Sequence, residues 1–254
     1  MSLIRIVISD ADGTLLRRGE ILYPRDLDLA VSECAAVGIP FVIASGRTLP
    51  SLRKIFAKNS GKLVFFALDG AYISAGGVKL ADFPIGENEV KAVADLAKTS
   101  DIVGTEFCAG ENSCLLSESR ELHESESRRI PDEYRGINGI SELPGRVYKI
   151  ILFTKRGYHA DIPGLRAVYR GETITELVRD GVDKAAAAKF LLGELGIDAS
   201  EAAAFGDSEN DRTLLEFAGI PVTIYGSKHG IFSLSTRHTA NVAEYVRFLL
   251  KSKG

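Results

Sequence analysis

Two aspartates near the start of the chain, Asp10 and Asp12, follow directly after an apolar segment, in the stretch ISDADGTLL (8–16). Like charges held this close repel each other, and burying either one without a partner costs free energy. Carboxylate oxygens suit a hard cation such as Mg²⁺, and an aspartate can also act as a nucleophile or as a general acid and base. The pair therefore indicates either a metal-dependent catalytic site or a solvated turn.

Other polar residues also stand where apolar segments end. Ser45 and Gly46 end the second apolar segment, Asp207 ends AAAFGD, and Asp211 lies four residues further on. Lys184 begins a predicted helix. In open α/β sheets, ligands bind at the carboxyl ends of the strands, so we expect these groups to lie at one edge of a sheet.

Four carboxylates, a hydroxyl and an ammonium at one place suit phosphoryl transfer through a carboxylate. One aspartate can attack phosphorus, while a second moves the proton of the leaving oxygen and later that of the attacking water. A lysine, a hydroxyl and backbone N–H groups can hold the phosphoryl oxygens. We therefore expect Mg²⁺ and a phosphate ester as the ligands of this edge.

Strand and helix patterns alternate over the first eighty residues. Strands are predicted at 3–8, 39–45 and 62–69, with one helix over 25–37 and another after Pro50. Each predicted strand is apolar along its length, which is typical of a parallel sheet covered on both faces. The first part of the chain is therefore predicted to be an α/β domain.

The pattern changes at about residue 70. A hairpin is predicted over 71–83 and a helix over 87–98. Shorter strands follow at 101–107, 113–117, 146–154 and 173–178. No structure is predicted for 118–145, which is polar and charged. This region resembles an α+β unit rather than a continuation of the parallel sheet.

The first pattern then returns. Helices are predicted at 183–195, 209–219 and 241–251, and strands at 202–207 and 221–226. We therefore predict one α/β catalytic core made of residues 1–82 and 178–254. An α+β domain over 83–177 interrupts it.

These residues identify the chain as similar to the haloacid dehalogenase (HAD) superfamily. Its four motifs find matches in order, at DADGTL (10–15), SGR (45–47), Lys184 and GDSENDRTLL (206–215). The insert resembles, in position and pattern, the type IIB cap of Cof-like sugar-phosphate phosphatases. The resemblance implies a Rossmann-like parallel-sheet core with an inserted α+β cap, and a Mg²⁺-dependent phosphomonoesterase that forms an aspartyl-phosphate.

The resemblance also assigns roles to individual residues. Asp10 becomes the nucleophile and a metal ligand, and Asp12 becomes the general acid and base, with its backbone carbonyl reaching the metal. The other implied metal ligands are Asp207 and Asp211. The implied phosphate-binding residues are Ser45, Gly46, Lys184 and Asn210. A phosphomutase would use the same motifs, and a binding protein on an inactive HAD scaffold would have lost a motif carboxylate or the lysine.

The sequence departs from the pattern of this group at three places. Asp69-Gly70 stands where relatives often have Asn-Gly, and Ala185 follows Lys184 where relatives often have Gly. The segment 225–241 does not match the usual pattern and receives no role. Substrate contacts in the insert are a hypothesis that rests only on polarity, and its candidates are His123, Arg128, Arg129 and Lys149.

Bulk composition narrows the class of protein further. Apolar residues make up 45% and charged residues 26% of the 254 residues, which is typical of a globular protein. A net charge of -3 gives no reason to expect nucleic acid or an anionic membrane as a partner. Cys34, Cys108 and Cys114 form neither a disulfide framework nor a zinc motif. With no signal-peptide pattern, we expect a cytoplasmic enzyme acting on a small phosphorylated substrate, its oligomeric state open.

Overall fold

The computed structural model describes residues 4–16, 26–98, 101–116, 134–156, 159 and 161–251. The chain divides into two units. The first consists of Met1–Arg47, Leu52–Ala81 and Asp183–Gly254, and the second of Thr48–Ser51 and Asp82–Val182.

Strands and helices alternate along much of the chain. The described strands are β1 (Ile6–Asp10), β2 (Phe41–Ala44), β3 (Leu63–Ala67), β4 (Tyr72–Ala75), β5 (Val78–Asp82), β6 (Ile102–Ala109), β7 (Asn112–Leu116), β8 (Tyr134–Ile137), β9 (Val147–Thr154), β10 (Leu165–Arg170), β11 (Ile174–Arg179), β12 (Ala202–Gly206), β13 (Ile220–Ile224) and β14 (His238–Thr239). The described α-helices are α1 (Leu27–Ala36), α2 (Leu49–Ile55), α3 (Glu87–Leu96), α4 (Lys184–Leu195), α5 (Arg212–Phe217), α6 (His229–Phe232) and α7 (Val242–Lys251).

An eight-stranded sheet forms the centre of the first unit, in the order β14-β13-β12-β1-β2-β3-β4-β5. The pairs from β14 across to β3 are parallel, and β4 runs antiparallel to β3. Every residue of β1, β2 and β12 is buried, as their continuous apolar sequences require. The predicted α/β fold with a parallel sheet is therefore confirmed.

The register of this sheet places the ends of three strands side by side. Asp10 at the end of β1 lies opposite Ala44 at the end of β2. On its other side, Ser9 of β1 pairs with Phe205 of β12. Because the strands are parallel, the residues that follow them, Ser45 and Asp207, leave the sheet at the same edge as Asp10.

Helix α4 begins at this edge and carries Lys184 as its first residue. The side chain of Asp183 caps the helix, since its Oδ1 accepts a hydrogen bond of 2.7 Å from the Ala186 amide. Gly196 ends the helix in the left-handed conformation, with φ at 59°. The position of Lys184 is therefore fixed by the cap as well as by burial.

A six-stranded sheet in the order β10-β11-β9-β6-β7-β8 forms the second unit. Its pairs are antiparallel except for β7 and β8. Helix α3 packs Val90 and Val93 into a core that includes Phe107, Ile150 and Leu177 of the sheet. The second unit is thus an α+β structure, as the change in sequence pattern predicts.

The three cysteines are buried and form no disulfide, and Cys34 lies on the buried side of α1. In the pairing of β6 with β7, Phe107 stands opposite Cys114 and Cys108 stands opposite Ser113. Because successive strand residues point to opposite faces, Cys108 and Cys114 lie on different faces of the sheet. The described helices include none that is both long and apolar enough to cross a membrane.

Candidate active site

Lys184 joins two of the predicted site carboxylates. Its Nζ lies 2.5 Å from Oδ1 of Asp10 and 2.6 Å from Oδ1 of Asp211, and the lysine side chain is fully buried. Burial alone would lower the pKa of Lys184, but attraction by Asp10 and Asp211 outweighs it and raises the pKa above its usual value. The lysine is therefore a permanent cation within the site.

Asp10 is buried at the end of β1, and within the described part of the chain only Oδ1 of its carboxylate has a hydrogen-bond partner. Burial raises the pKa of Asp10 well above its usual value, the charge of Asp211 raises it further, and Lys184 opposes both effects. The second oxygen, Oδ2, is buried and has no hydrogen-bond partner among the described residues. A buried acceptor left in this state is costly and calls for a cation or a donor beyond those that the described residues provide.

Asp207 completes a cluster of three carboxylates at the same edge. Asp10, Asp207 and Asp211 each offer one oxygen, and these oxygens all lie within 4.8 Å of one another. When these groups are ionised, the ammonium of Lys184 cancels only one of their three charges. Oxygen ligands with excess negative charge fit Mg²⁺, so the residues present suit the metal that the family implies.

Two glycines allow the carboxylates to come this close. A Cβ added to Gly13 would lie 2.5 Å from Oδ2 of Asp207, and one added to Gly206 would lie 2.5 Å from Cβ of Asp211. Gly13 also has a φ of +96°, which other residues rarely adopt. Any side chain at either position would displace a carboxylate of the cluster.

Asp211 contacts the backbone of the turn after β12 as well as Lys184. Its Oδ2 accepts hydrogen bonds of 3.1 Å from the backbone amides of Asp207 and Ser208. Its Oδ1 accepts the bond from Lys184. Asp211 therefore fixes the turn after β12 while one of its oxygens faces the site.

Asp12 forms an ion pair with Arg47. Nε and Nη2 of Arg47 donate to the two oxygens of Asp12, both at 2.7 Å. The side chain of Arg47 is 8% exposed and that of Asp12 is 45% exposed. Asp12 is not part of the carboxylate cluster found among the described residues, and its backbone carbonyl as a metal ligand remains a prediction.

Ser45, Gly46 and Asn210 also lie at this edge of the sheet. Ser45 is buried, and its Oγ accepts a hydrogen bond of 3.2 Å from the Arg47 amide. Gly46 follows it and is half-buried. Nδ2 of Asn210 donates to Oδ1 of Asp69 at 3.3 Å. Phosphate binding by these three residues remains a prediction.

Asp69 and Arg47 are two residues to which the sequence assigned no role. Asp69 is buried, has a φ of 57°, and helps to raise the pKa of Lys184. It therefore adds negative charge close to the cluster. Arg47 belongs to the SGR segment, so its place at the strand end was visible in the sequence, but its pairing with Asp12 depends on the register of β1 and β2.

Lys149, one of the four candidates for substrate contact in the insert, lies in a buried environment. This lysine is fully buried within β9 and forms an ion pair with Glu176, itself 6% exposed. The ion pair compensates the charge of a buried carboxylate in the second unit, and contact of Lys149 with substrate remains a hypothesis. The other candidates, His123, Arg128 and Arg129, lie outside the described residues.

The chain belongs to the haloacid dehalogenase-like hydrolases, whose family model matches residues 7–244. It is accordingly an enzyme, a hydrolase of the phosphatase type. It is 24% identical over 226 residues to the 5-amino-6-(5-phospho-D-ribitylamino)uracil phosphatase YbjI of Escherichia coli (strain K12), an alignment covering 85% of this chain and 83% of the relative. It is 29% identical over 227 residues to the phosphoglycolate phosphatase of Methanoculleus marisnigri, covering 87% and 84%.

Solved structures show the same fold. The HAD subclass IIB sugar phosphatase BT4131 superimposes with a TM-score of 0.80 at 18% sequence identity. The superposition covers 96% of this chain and 98% of that structure. Because the identity is this low, the likeness establishes a shared architecture and leaves the substrate to other arguments.

Proposed function

We propose that this enzyme is a Mg²⁺-dependent phosphomonoesterase that forms an aspartyl-phosphate on Asp10. The observation that carries the proposal is Oδ2 of Asp10, which is buried and has no hydrogen-bond partner in the described structure, on a residue that clusters with Asp207 and Asp211. These three carboxylates would hold Mg²⁺, which supplies positive charge to the phosphoryl oxygens when bound. We assign Mg²⁺ because all three ligands offer carboxylate oxygens and because Lys184 compensates only part of their negative charge.

In the first half of the reaction, a carboxylate oxygen of Asp10 attacks phosphorus. The bond between phosphorus and the leaving oxygen breaks as the bond to Asp10 forms, and the carboxyl group of Asp12 gives a proton to the leaving oxygen. Lys184 favours the ionised form of Asp10 and orients it, since its Nζ holds the other oxygen of that carboxylate at 2.5 Å. Ser45 and Asn210 would hold the phosphoryl oxygens.

In the second half, water replaces Asp10 at phosphorus. Asp12, now a carboxylate, accepts a proton from the attacking water, and the bond between phosphorus and Asp10 breaks to release inorganic phosphate. Asp12 can exchange protons with solvent because its side chain is 45% exposed. Two carboxylates in different surroundings thus take two roles, one buried as nucleophile and one accessible as acid and base.

The substrate class that we propose is a sugar phosphate or a similar small phosphate ester. The relatives named above act on a phosphorylated ribityl compound and on phosphoglycolate, and the structural neighbour is named a sugar phosphatase. We propose that the insert, predicted as 83–177, serves as a cap that selects the leaving group. We place the reaction in the cytoplasm, where free cysteines stay reduced.

The test is phosphate release from a panel of phosphorylated metabolites, with Mg²⁺ and with a chelator. The wild-type enzyme should release phosphate only with the metal, and the Asp10→Asn variant should be inactive. Asp95→Asn, which alters an exposed aspartate paired with Lys98, is the matched control and should behave as wild type. Isomerised substrate without free phosphate would show a phosphomutase instead, and activity that survives in Asp10→Asn would remove the nucleophile from the proposal.

A further inference from the structure

The pair formed by Asp12 and Arg47 conflicts with the role proposed for Asp12. A general acid needs one carboxyl oxygen to carry the proton and reach the leaving group. Here Arg47 occupies both oxygens, through two hydrogen bonds of 2.7 Å. At least one of these bonds has to open before Asp12 can act.

The backbone on both sides of the pair is fixed, so the opening has to come from side chains. The Arg47 amide donates to Ser45 Oγ at 3.2 Å, and the Arg47 carbonyl accepts a bond of 2.9 Å from the Leu68 amide. The turn that carries Asp12 is closed by a 2.7 Å bond from the Gly13 amide to the Leu16 carbonyl. Rotation of the guanidinium or of the carboxylate is therefore the motion available.

The charges of the site indicate which group can take Arg47 from Asp12. Lys184 is fully buried between two carboxylates, Asp10 and Asp211, and is committed to them. Arg47 is engaged with a single carboxylate that is itself half exposed. A guanidinium binds phosphoryl oxygens in the same two-pronged manner as it binds a carboxylate, so an arriving phosphate ester competes directly for it.

We infer that substrate binding transfers Arg47 from Asp12 to the phosphoryl group, and that this exchange frees the Asp12 carboxylate to take a proton from solvent, to which it is exposed, and to give that proton to the leaving oxygen. The inference rests on the proposed phosphatase function and adds a phosphate ligand and a sequence of events to it. No bond to phosphorus changes during the exchange: two N–H···O bonds to Asp12 are replaced by N–H···O bonds to phosphoryl oxygens. The enzyme thereby keeps its acid occupied until a phosphate ester is in place.

The test is a double-mutant cycle with Arg47→Ala and Asp12→Asn. The measurements are the KM for 4-nitrophenyl phosphate, whose leaving group needs little protonation, and the inhibition constant of inorganic phosphate. If Arg47 binds the phosphoryl group, Arg47→Ala raises both constants, by roughly 10- to 100-fold for a lost charged hydrogen-bonding pair. The same increase should appear when Asp12→Asn is already present, because the phosphoryl contact does not depend on Asp12.

The opposite outcome of the same measurements would overturn the inference. If Arg47 stays on Asp12 in the complex, Arg47→Ala leaves the inhibition constant of phosphate unchanged, or changes it only when Asp12 is intact, and the inference fails. A wild-type enzyme that hydrolyses none of the phosphate esters would instead sink the proposed function, so the two failures are distinguishable.

Two further variants distinguish lost phosphate binding from a general loss of folding. Arg247→Ala removes a partly exposed arginine that is also paired with a carboxylate, its Nε lying 3.0 Å from Glu33, and should leave both constants at the wild-type values. Arg47→Lys keeps the charge without the planar fork and should give a smaller increase than Arg47→Ala. If Arg47→Ala does not fold, Arg47→Lys decides: an unchanged inhibition constant of phosphate would overturn the inference.

Discussion

At the scale of single residues, one buried lysine partly compensates the negative charge of the buried carboxylates in the site. Among the described residues, Lys184 is the only hydrogen-bond partner of Oδ1 of Asp10, and it also donates to Oδ1 of Asp211. Removing one member of a buried ion pair costs more than the pair contributes, because the remaining charge stays buried without compensation. The lysine should therefore matter for folding as well as for catalysis.

We predict that Lys184→Met lowers the free energy of unfolding by about 3–5 kcal/mol, since it leaves two buried carboxylates facing each other. Urea unfolding of the metal-free protein measures the change. The control is Lys58→Met, which removes an exposed lysine paired with Asp28 and should cost less than about 1 kcal/mol. Equal losses in the two variants would show that Lys184 does not hold the cluster together.

The sequence alone located most of these residues but not their partners. Asp10, Asp207 and Lys184 could be placed because each stands at the end or start of a clearly patterned element. The contact of Arg47 with Asp12 could not be placed, since it depends on side-chain rotamers at the ends of two neighbouring strands. Asp69 lies in a turn with φ at 57°, which aspartate tolerates, but the contact of Asn210 with Asp69 could not be predicted because the two residues are far apart in sequence.

At the scale of elements, the strands with continuous apolar sequences were the simplest to predict, whereas β8, β10 and β14 were not predicted. β1, β2 and β12 are buried along their whole length, so hydrophobicity alone marks them. β10 is half-buried to exposed along its length, and its arginines and Tyr169 obscure any alternation. β8 lies in the polar region for which no structure was predicted, and three of its four residues are at least partly exposed.

Helix α4 is the element whose position most affects the site, because Lys184 is its first residue. We predict that Asp183→Ala, which removes the cap accepting the Ala186 amide, lowers the free energy of unfolding by about 1 kcal/mol. It should also lower kcat, since the first turn of the helix carries the lysine. Chemical unfolding and steady-state kinetics on the best substrate measure the two effects.

The matched control for this helix is Asp198→Ala. Asp198 caps the short turn Ala199–Glu201 and accepts a 2.8 Å bond from the Ser200 amide, but it contacts none of the site carboxylates in the described structure. We expect a loss of stability without a change in kcat. An unchanged kcat in Asp183→Ala as well would mean that the cap stabilises the helix without positioning Lys184.

At the scale of the whole molecule, the excess negative charge of the cluster should link metal binding to stability. A ligand that binds only the folded state stabilises it by about 2.7 kcal/mol at a concentration 100 times its Kd. We predict that Mg²⁺ raises the Tm by several degrees and that Asp207→Asn removes most of this shift. Scanning calorimetry with Mg²⁺ and with a chelator measures it.

The control for this shift is Asp95→Asn, which should keep the full response to Mg²⁺ because Asp95 is exposed and pairs with Lys98. Since the chain has two units, the calorimetric trace can contain two transitions, and the shift belongs to the one that Lys184→Met also lowers. A shift of equal size in Asp207→Asn would place the metal somewhere other than the cluster.

The measurement that tests the central claim most directly is the detection of phosphate covalently bound to Asp10. The enzyme would be mixed with its best substrate, quenched with acid during turnover, digested, and analysed by mass spectrometry. The account predicts that the peptide containing Asp10 gains the mass of one phosphoryl group, and that Asp10→Asn shows no such peptide. Steady phosphate release with no phosphorylated peptide, or a phosphoryl group on another residue, would contradict it.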